Sequence, residues 1–137
     1  MTPGQVWKTA LPNPTTVRRY PSLVNFCNDY IFVIGGQSPD DSEQVYDTVE
    51  KFDIKEEKWS SAPSMKLTRL SHSSCTLSNK WIYTFGGYDK DFKFIDAIER
   101  LDATRAVLGG NSNSTFNSSW EYVKFEGTND QKWSRKH

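Results

Sequence analysis

The sequence predicts an all-β chain built of two four-stranded antiparallel units with flanking strands, and three observations carry that prediction. A strand ending in a glycine pair occurs twice, as Tyr30-Ile31-Phe32-Val33-Ile34-Gly35-Gly36 and as Trp81-Ile82-Tyr83-Thr84-Phe85-Gly86-Gly87. Each is followed by a short run ending in aspartate, Thr48 to Asp53 and Ala97 to Asp102, and each aspartate by a tryptophan, Trp59 and Trp120. At a spacing of 51 residues (Gly35 to Gly86) the two copies match without a gap, pairing Arg18 with Arg69, Ser22 with Ser73 and Asn28 with Asn79. Such self-similarity marks an architecture of repeated supersecondary units.

The elements follow in chain order. Trp7-Lys8-Thr9-Ala10-Leu11-Pro12 reads like Trp59-Ser60-Ser61-Ala62-Pro63, so residues 1–14 are expected to hold the last strand of a preceding unit and a crossing. Pro12 and Pro14 end that strand, since proline cannot donate to a ladder. Tyr20 to Cys27 and Tyr30 to Gly35 form a hairpin about Asn28-Asp29, rich in β-branched and aromatic residues. The glycine pair suits a backbone that needs positive φ or close approach. Gln37 to Gln44 is a polar surface loop. Val45 to Asp53 reads as a half-solvated strand that alternates apolar Val49 and others with charged Glu50 and Lys51, and Trp59 opens a fourth strand, completing the first repeat at 15–63.

Pro63 to Arg69 repeats the crossing. The second hairpin is Ser71 to Leu77 and Lys80 to Phe85 about Ser78-Asn79; the loop Tyr88 to Phe94 and a third strand, Ile95 to Leu101, follow. Asp102 to Trp120 holds twelve more residues than Asp53 to Trp59, giving the second repeat (64–126) a lengthened loop at 103–119. Its Gly109-Gly110-Asn111-Ser112-Asn113-Ser114-Thr115 is flexible in composition and expected to add no core. Trp133-Ser134-Arg135-Lys136-His137 resembles Thr68-Arg69-Leu70-Ser71-His72, so 127–137 reads as the start of a further repeat or a tail.

The glycine pairs Gly35-Gly36 and Gly86-Gly87, the strand ends Phe52-Asp53 and Leu101-Asp102, and the tryptophans Trp59 and Trp120 resemble the kelch family. The resemblance runs from Trp7 onward. Phe52 and Leu101 stand where the family usually has tyrosine, and both keep that position apolar. The resemblance implies a β-propeller of four-stranded kelch blades, and because such rings take about four to eight blades, an incomplete one. It further implies a non-catalytic protein-interaction module that binds through its inter-strand loops. The alternative is a structural subunit of a large intracellular assembly completed by neighbouring chains, and a propeller enzyme ranks third. The implied partners are proteins, including whatever completes the propeller.

Composition narrows the function classes. Seventeen basic residues balance seventeen acidic ones, so no net field draws the chain to nucleic acid or an anionic membrane. No apolar run approaches membrane-helix length, and the first residues lack the pattern of a secretory signal, so the expected location is cytoplasmic. The sequons at Asn113 and Asn117 then read as polar loop. Cys27 and Cys75 fall at non-equivalent places and are expected to be reduced and buried.

No catalytic, cofactor or metal residue is proposed. His72 and His137 are the only histidines; His72 is expected to make a structural hydrogen bond, and its neighbour Cys75 to point to the opposite face. A kelch-like copper-radical oxidase would need paired histidines with tyrosine ligands, and no such set can be placed. Asp40, Asp41, Glu43, Asp89 and Asp91 read as solvated loop charges. Partner contact is expected from Tyr88, Phe92 and Lys93 in the aromatic loop and from Arg18, Arg19 and Arg69 at the crossings. Against this stand two bland readings: Phe92 and Phe94 pack onto the blades, and the arginines bond to loop carbonyls.

Overall fold

A computed structural model of the protein describes residues 11–40, 42–108 and 118–124. The expectations at Trp7, Asp41, the sequons and residues 127–137 lie outside them. The described elements are β1 (Ser22–Phe26), β2 (Tyr30–Ile34), β3 (Val49–Asp53), β4 (Lys58–Ala62), β5 (Ser73–Leu77), β6 (Trp81–Phe85), β7 (Glu99–Asp102), α1 (Ala103–Leu108) and β8 (Glu121–Tyr122). The strands form two four-stranded antiparallel sheets, β1-β2-β3-β4 and β5-β6-β7-β8, each a blade of an incomplete propeller.

Local chemistry sets each hairpin. Cys27 and Asn28 take φ of 54° and 59°, and Ser78 and Asn79 take 56° and 48°, the left-handed pair that matches strand twist. Asn25 locks the first turn by accepting the Asn28 N–H at 3.0 Å. At the other end of the central strands the glycines are required. A Cβ on Gly36 (φ 95°) would lie 2.7 Å from the Arg19 carbonyl, and one on Gly87 (φ 80°) 2.5 Å from the Leu70 carbonyl.

The core lies between the two blades. Strand alternation places Val24, Phe26, Phe32, Ile34 and Val49 on one face of the first blade, and β1 runs beside β5. These side chains pack with Ile82, Leu101 and Trp120 of the second blade, Met65 of the crossing, and Ala103 and Ala106. The last two belong to α1, so the lengthened connection begins as a helix that adds to the core. Asp102 starts it by accepting the N–H groups of Thr104 and Arg105 (3.2 and 3.4 Å) and the Thr104 hydroxyl (2.5 Å), as an N-cap does. In the first blade Asp53 instead accepts the Glu56 N–H at 2.9 Å and closes a turn.

Two expectations are corrected. Cys27 and Cys75 are exposed: Cys27 sits in the left-handed turn, and Cys75 on a sheet face that no described element covers. Glu50 faces inward and is buried, as is its counterpart Glu99. The half-solvated reading set Glu50 among the charged positions of the strand, but Thr15 and Arg18 of the incoming segment cover it.

Candidate functional site

Beneath the loops, each repeat builds the same clamp. Arg18 pairs with Glu50 at 3.1 Å and donates to the carbonyls of Gly35 and Thr48 at 2.9 and 3.0 Å. Arg69, wholly buried, pairs with Glu99 at 3.0 Å and donates to the carbonyls of Gly86 and Ala97 at 2.9 and 2.8 Å. Each glutamate also accepts a backbone N–H from the chain leading into its blade, from Thr15 at 2.8 Å and from Lys66 at 2.5 Å. Burial alone would raise the Glu50 carboxyl, but hydrogen bonds from Thr15 and Arg18 hold it below the ordinary range. Such fully bonded ion pairs specify one arrangement of the backbone. Arg18 and Arg69 are therefore framework rather than partner contacts, because their guanidinium groups are spent inside the blades.

The tryptophans tie the other side of each blade. Trp59 Nε1 donates to the Pro12 carbonyl and Trp120 Nε1 to the Pro63 carbonyl, both at 2.7 Å. Phe52 and Leu101 are buried beside them, with the Phe52 and Trp59 ring centroids 5.0 Å apart.

Above the glycine pairs the backbone continues as two small ribbons on one end of the molecule. Arg19 pairs with Gln37 and Gln37 with Val45, while Leu70 pairs with Tyr88 and Tyr88 with Phe94. The ribbons are joined by the Ser71 N–H, which donates to the Tyr20 carbonyl at 3.1 Å. Asp89 braces the second loop: one carboxylate oxygen accepts the N–H groups of Asp91 and Lys93 at 2.8 and 3.0 Å. Asp40 plays the same part in the first loop toward Ser42, and those hydrogen bonds lower its carboxyl below the usual range.

The braced second loop carries Tyr88, Phe92 and Phe94 at 42%, 59% and 53% exposure. The Tyr88 and Phe94 rings meet edge to face at 6.2 Å. Phe94 lies near Gly86, and Phe92 (φ 55°) stands at the tip. Tyr20, also exposed, and Arg19 extend the surface over the first blade. Of the six residues expected to contact partners, Arg19, Tyr88, Phe92 and Lys93 are thus exposed at one end, with Arg18 and Arg69 buried below them. The glutamates of the clamp escaped sequence reading, although their equivalent positions, one run before each aspartate, were a usable signal.

His72 does not make its expected hydrogen bond. The ring is buried between the blades with neither nitrogen partnered, near Gly35 and Met65 of the crossing. Burial, with the Arg69 charge nearby, lowers its pKa to about 4. Among the described residues no three of His, Cys, Asp and Glu gather as a metal site, and no helix is long and apolar enough to cross a membrane.

Comparison with known proteins agrees with this construction. The Kelch motif family model matches residues 18–66, the first blade. The kelch repeat and BTB domain-containing protein 2 of cowpox virus (strain Brighton Red) is 27% identical over 130 residues, covering 86% of this chain and 23% of the relative. Its horsepox virus counterpart is 26% identical over the same shares. An F-box/kelch-repeat protein of Arabidopsis thaliana is 34% identical over 84 residues, 59% of this chain and 28% of the relative. The chain thus spans about a quarter of the length of the relatives it matches. Two blades built on the same kind of clamp, a Kelch motif match over the first and relatives named for the same repeat make this chain similar to kelch-repeat proteins over about two repeats.

Proposed function

We propose that this chain is a non-catalytic protein-interaction module whose contacts are made by the loop end of the blades, with the second loop as anchor. The observation that carries the reading is the exposure of Tyr88, Phe92 and Phe94 on a loop fixed by Asp89. Aromatic rings held in place at little entropic cost, rimmed by Arg19, Lys90 and Lys93, are what protein interfaces use as anchors. The location consistent with this role is cytoplasmic. The test places a photo-reactive phenylalanine analogue at Phe92 in cells and identifies what it captures. It then measures that partner's affinity for the Tyr88→Ala/Phe92→Ala variant. The reading expects a protein partner and at least a thirtyfold loss of affinity with unchanged melting; unchanged affinity overturns it.

A second reading is favoured by the sheet face of the second blade that no described element covers. There the chain is a structural subunit whose blades are completed by neighbours.

A further inference from the structure

The two loops that rise from the glycine pairs end in the same turn, built twice. Asp40 and Asp89 begin it, and the carboxylate of each accepts the N–H two residues on, from Ser42 at 2.9 Å and from Asp91 at 2.8 Å. The next residue donates its N–H to the carbonyl of that aspartate, Glu43 at 3.5 Å and Phe92 at 3.1 Å, and takes a left-handed φ of 50° and 55°. Glycine or asparagine suits that conformation, and a bulky side chain enters it at a cost. At Glu43 the cost at least puts a charge in water. At Phe92 it puts a ring there, 59% exposed, so neither backbone preference nor burial accounts for the residue. The first blade, which has the second beside it, shows which ring of the second loop is exposed by its position. There Val45, the counterpart of Phe94, is buried, whereas Glu43, the counterpart of Phe92, stays exposed. The tip faces water even with a neighbouring blade in place.

We infer that Phe92 is a projecting knob, and that its partner is a folded protein that receives the ring in a concave apolar pocket with an acidic rim. This rests on the loop-end reading and names the partner surface that reading requires. Lys90, Asp91, Phe92 and Lys93 are all exposed, so the chain offers a convex point whose complement is concave. The turn is held to one shape. The Asp89 carboxylate accepts a second N–H, from Lys93 at 3.0 Å, and the Asp89 N–H donates to the Lys93 carbonyl at 3.0 Å. Seating the ring therefore orders little that was loose. Charge sets the rim. The Asp89 carboxylate is spent on the backbone of its own turn, which leaves Lys90 and Lys93 flanking the ring against Asp91. A lipid surface is the poorer complement, since one ring on a chain with no net charge makes a marginal anchor.

The experiment places p-benzoylphenylalanine at position 92 of the full chain, cross-links it in extract of the native source and maps the attached residues on the captured protein. That protein, purified, is then titrated with variants of this chain. Expected are attachments to apolar side chains inside one folded domain, with aspartate or glutamate beside them. Affinity should fall about thirtyfold or more in Phe92→Gly and about fivefold or more in Lys90→Ala/Lys93→Ala, the second loss growing as salt is lowered. Phe92→Gly and Glu43→Gly should both melt no lower than the parent, since each relieves a left-handed residue, and Glu43→Gly should leave affinity unchanged. A lower melting temperature in Phe92→Gly alone means that the ring packs on its own chain, and overturns the inference. Attachments confined to an unfolded segment, to a second copy of this chain or to lipid do the same, the last checked by sedimentation with vesicles of equimolar phosphatidylcholine and phosphatidylserine. Tyr88→Ala separates the two readings. Binding lost there but kept in Phe92→Gly leaves the loop-end surface and sinks the knob; binding kept in both, or no attachment at all, sinks both.

Discussion

Lowering the pH should destabilise the chain through His72 well before its carboxylates titrate. The imidazole is buried with neither nitrogen bonded, and its pKa falls from 6.5 to about 4. A group whose folded pKa is depressed binds its proton more readily when unfolded. Its contribution is whole above the unfolded value and drains away as pH falls from 6.5 toward 4. Linkage gives a loss of about 2 kcal/mol by pH 5 and about 3 kcal/mol by pH 4, a large share of a small domain's stability. The assay is urea unfolding at 25 °C, followed by tryptophan fluorescence at half-unit pH steps, on the parent and on His72→Leu. Because the ring makes no hydrogen bond, the leucine variant should lie within about 1 kcal/mol of the parent at pH 7.5. Its profile should be flat between pH 6.5 and 5. Below that the lowered carboxyls of Glu50 and Asp102 begin to protonate in both proteins. If parent and variant lose stability in parallel from pH 7 to 5, the buried, unpartnered placement of the His72 ring is wrong.

Glu99→Ala should cost about 3–5 kcal/mol, because it strands the Arg69 charge in the interior; a urea midpoint that implies less than about 1 kcal/mol would refute the clamp. Gly36→Val and Gly87→Val should each cost more than about 2 kcal/mol from positive φ alone, before the clash with a neighbouring carbonyl. Amide exchange of β2 and β6 reads the loss, and unchanged protection would contradict the placement. Trp120→Phe leaves the Pro63 carbonyl without its donor and should cost about 1–3 kcal/mol, whereas Trp59→Phe, on a half-buried ring, should cost less; equal losses would show that the tie is not what matters.

Much of the fold was legible because its signals are local. The hairpins announce themselves by β-branched runs and by Asn28 and Asn79 in turns, and the glycine pairs by repetition. What was not legible depends on which surfaces meet. Glu50 alternates as a solvent-facing strand residue should, and only the arginine brought from Arg18, over thirty residues away, makes its burial affordable. Cys75 sits in a strand, yet its face is open because no described element covers it. The helix after Asp102 had a capping aspartate and two alanines to advertise it, but the glycine- and asparagine-rich residues further on drew the whole connection toward loop. For the interaction surface the aromatic loop was visible from composition, while the separation of Arg19 from Arg18 and Arg69 required coordinates.

The tryptophan ties carry a consequence for how such chains change length. Trp59 bonds to Pro12 and Trp120 to Pro63, so the last strand of each blade is fastened to the segment that leads into that same blade. The arginine clamp likewise begins and ends inside one repeat. A unit of this kind carries its own fastenings, and a gene could gain or lose one whole unit without orphaning a buried charge in those that remain. What such an event disturbs is the fit of the faces and the bonds between units, such as those from the Gly36 N–H to the Arg69 carbonyl and from the Ser71 N–H to the Tyr20 carbonyl. Ring size is in this sense an accounting of wedges, free to drift while the interior chemistry of each wedge stays fixed.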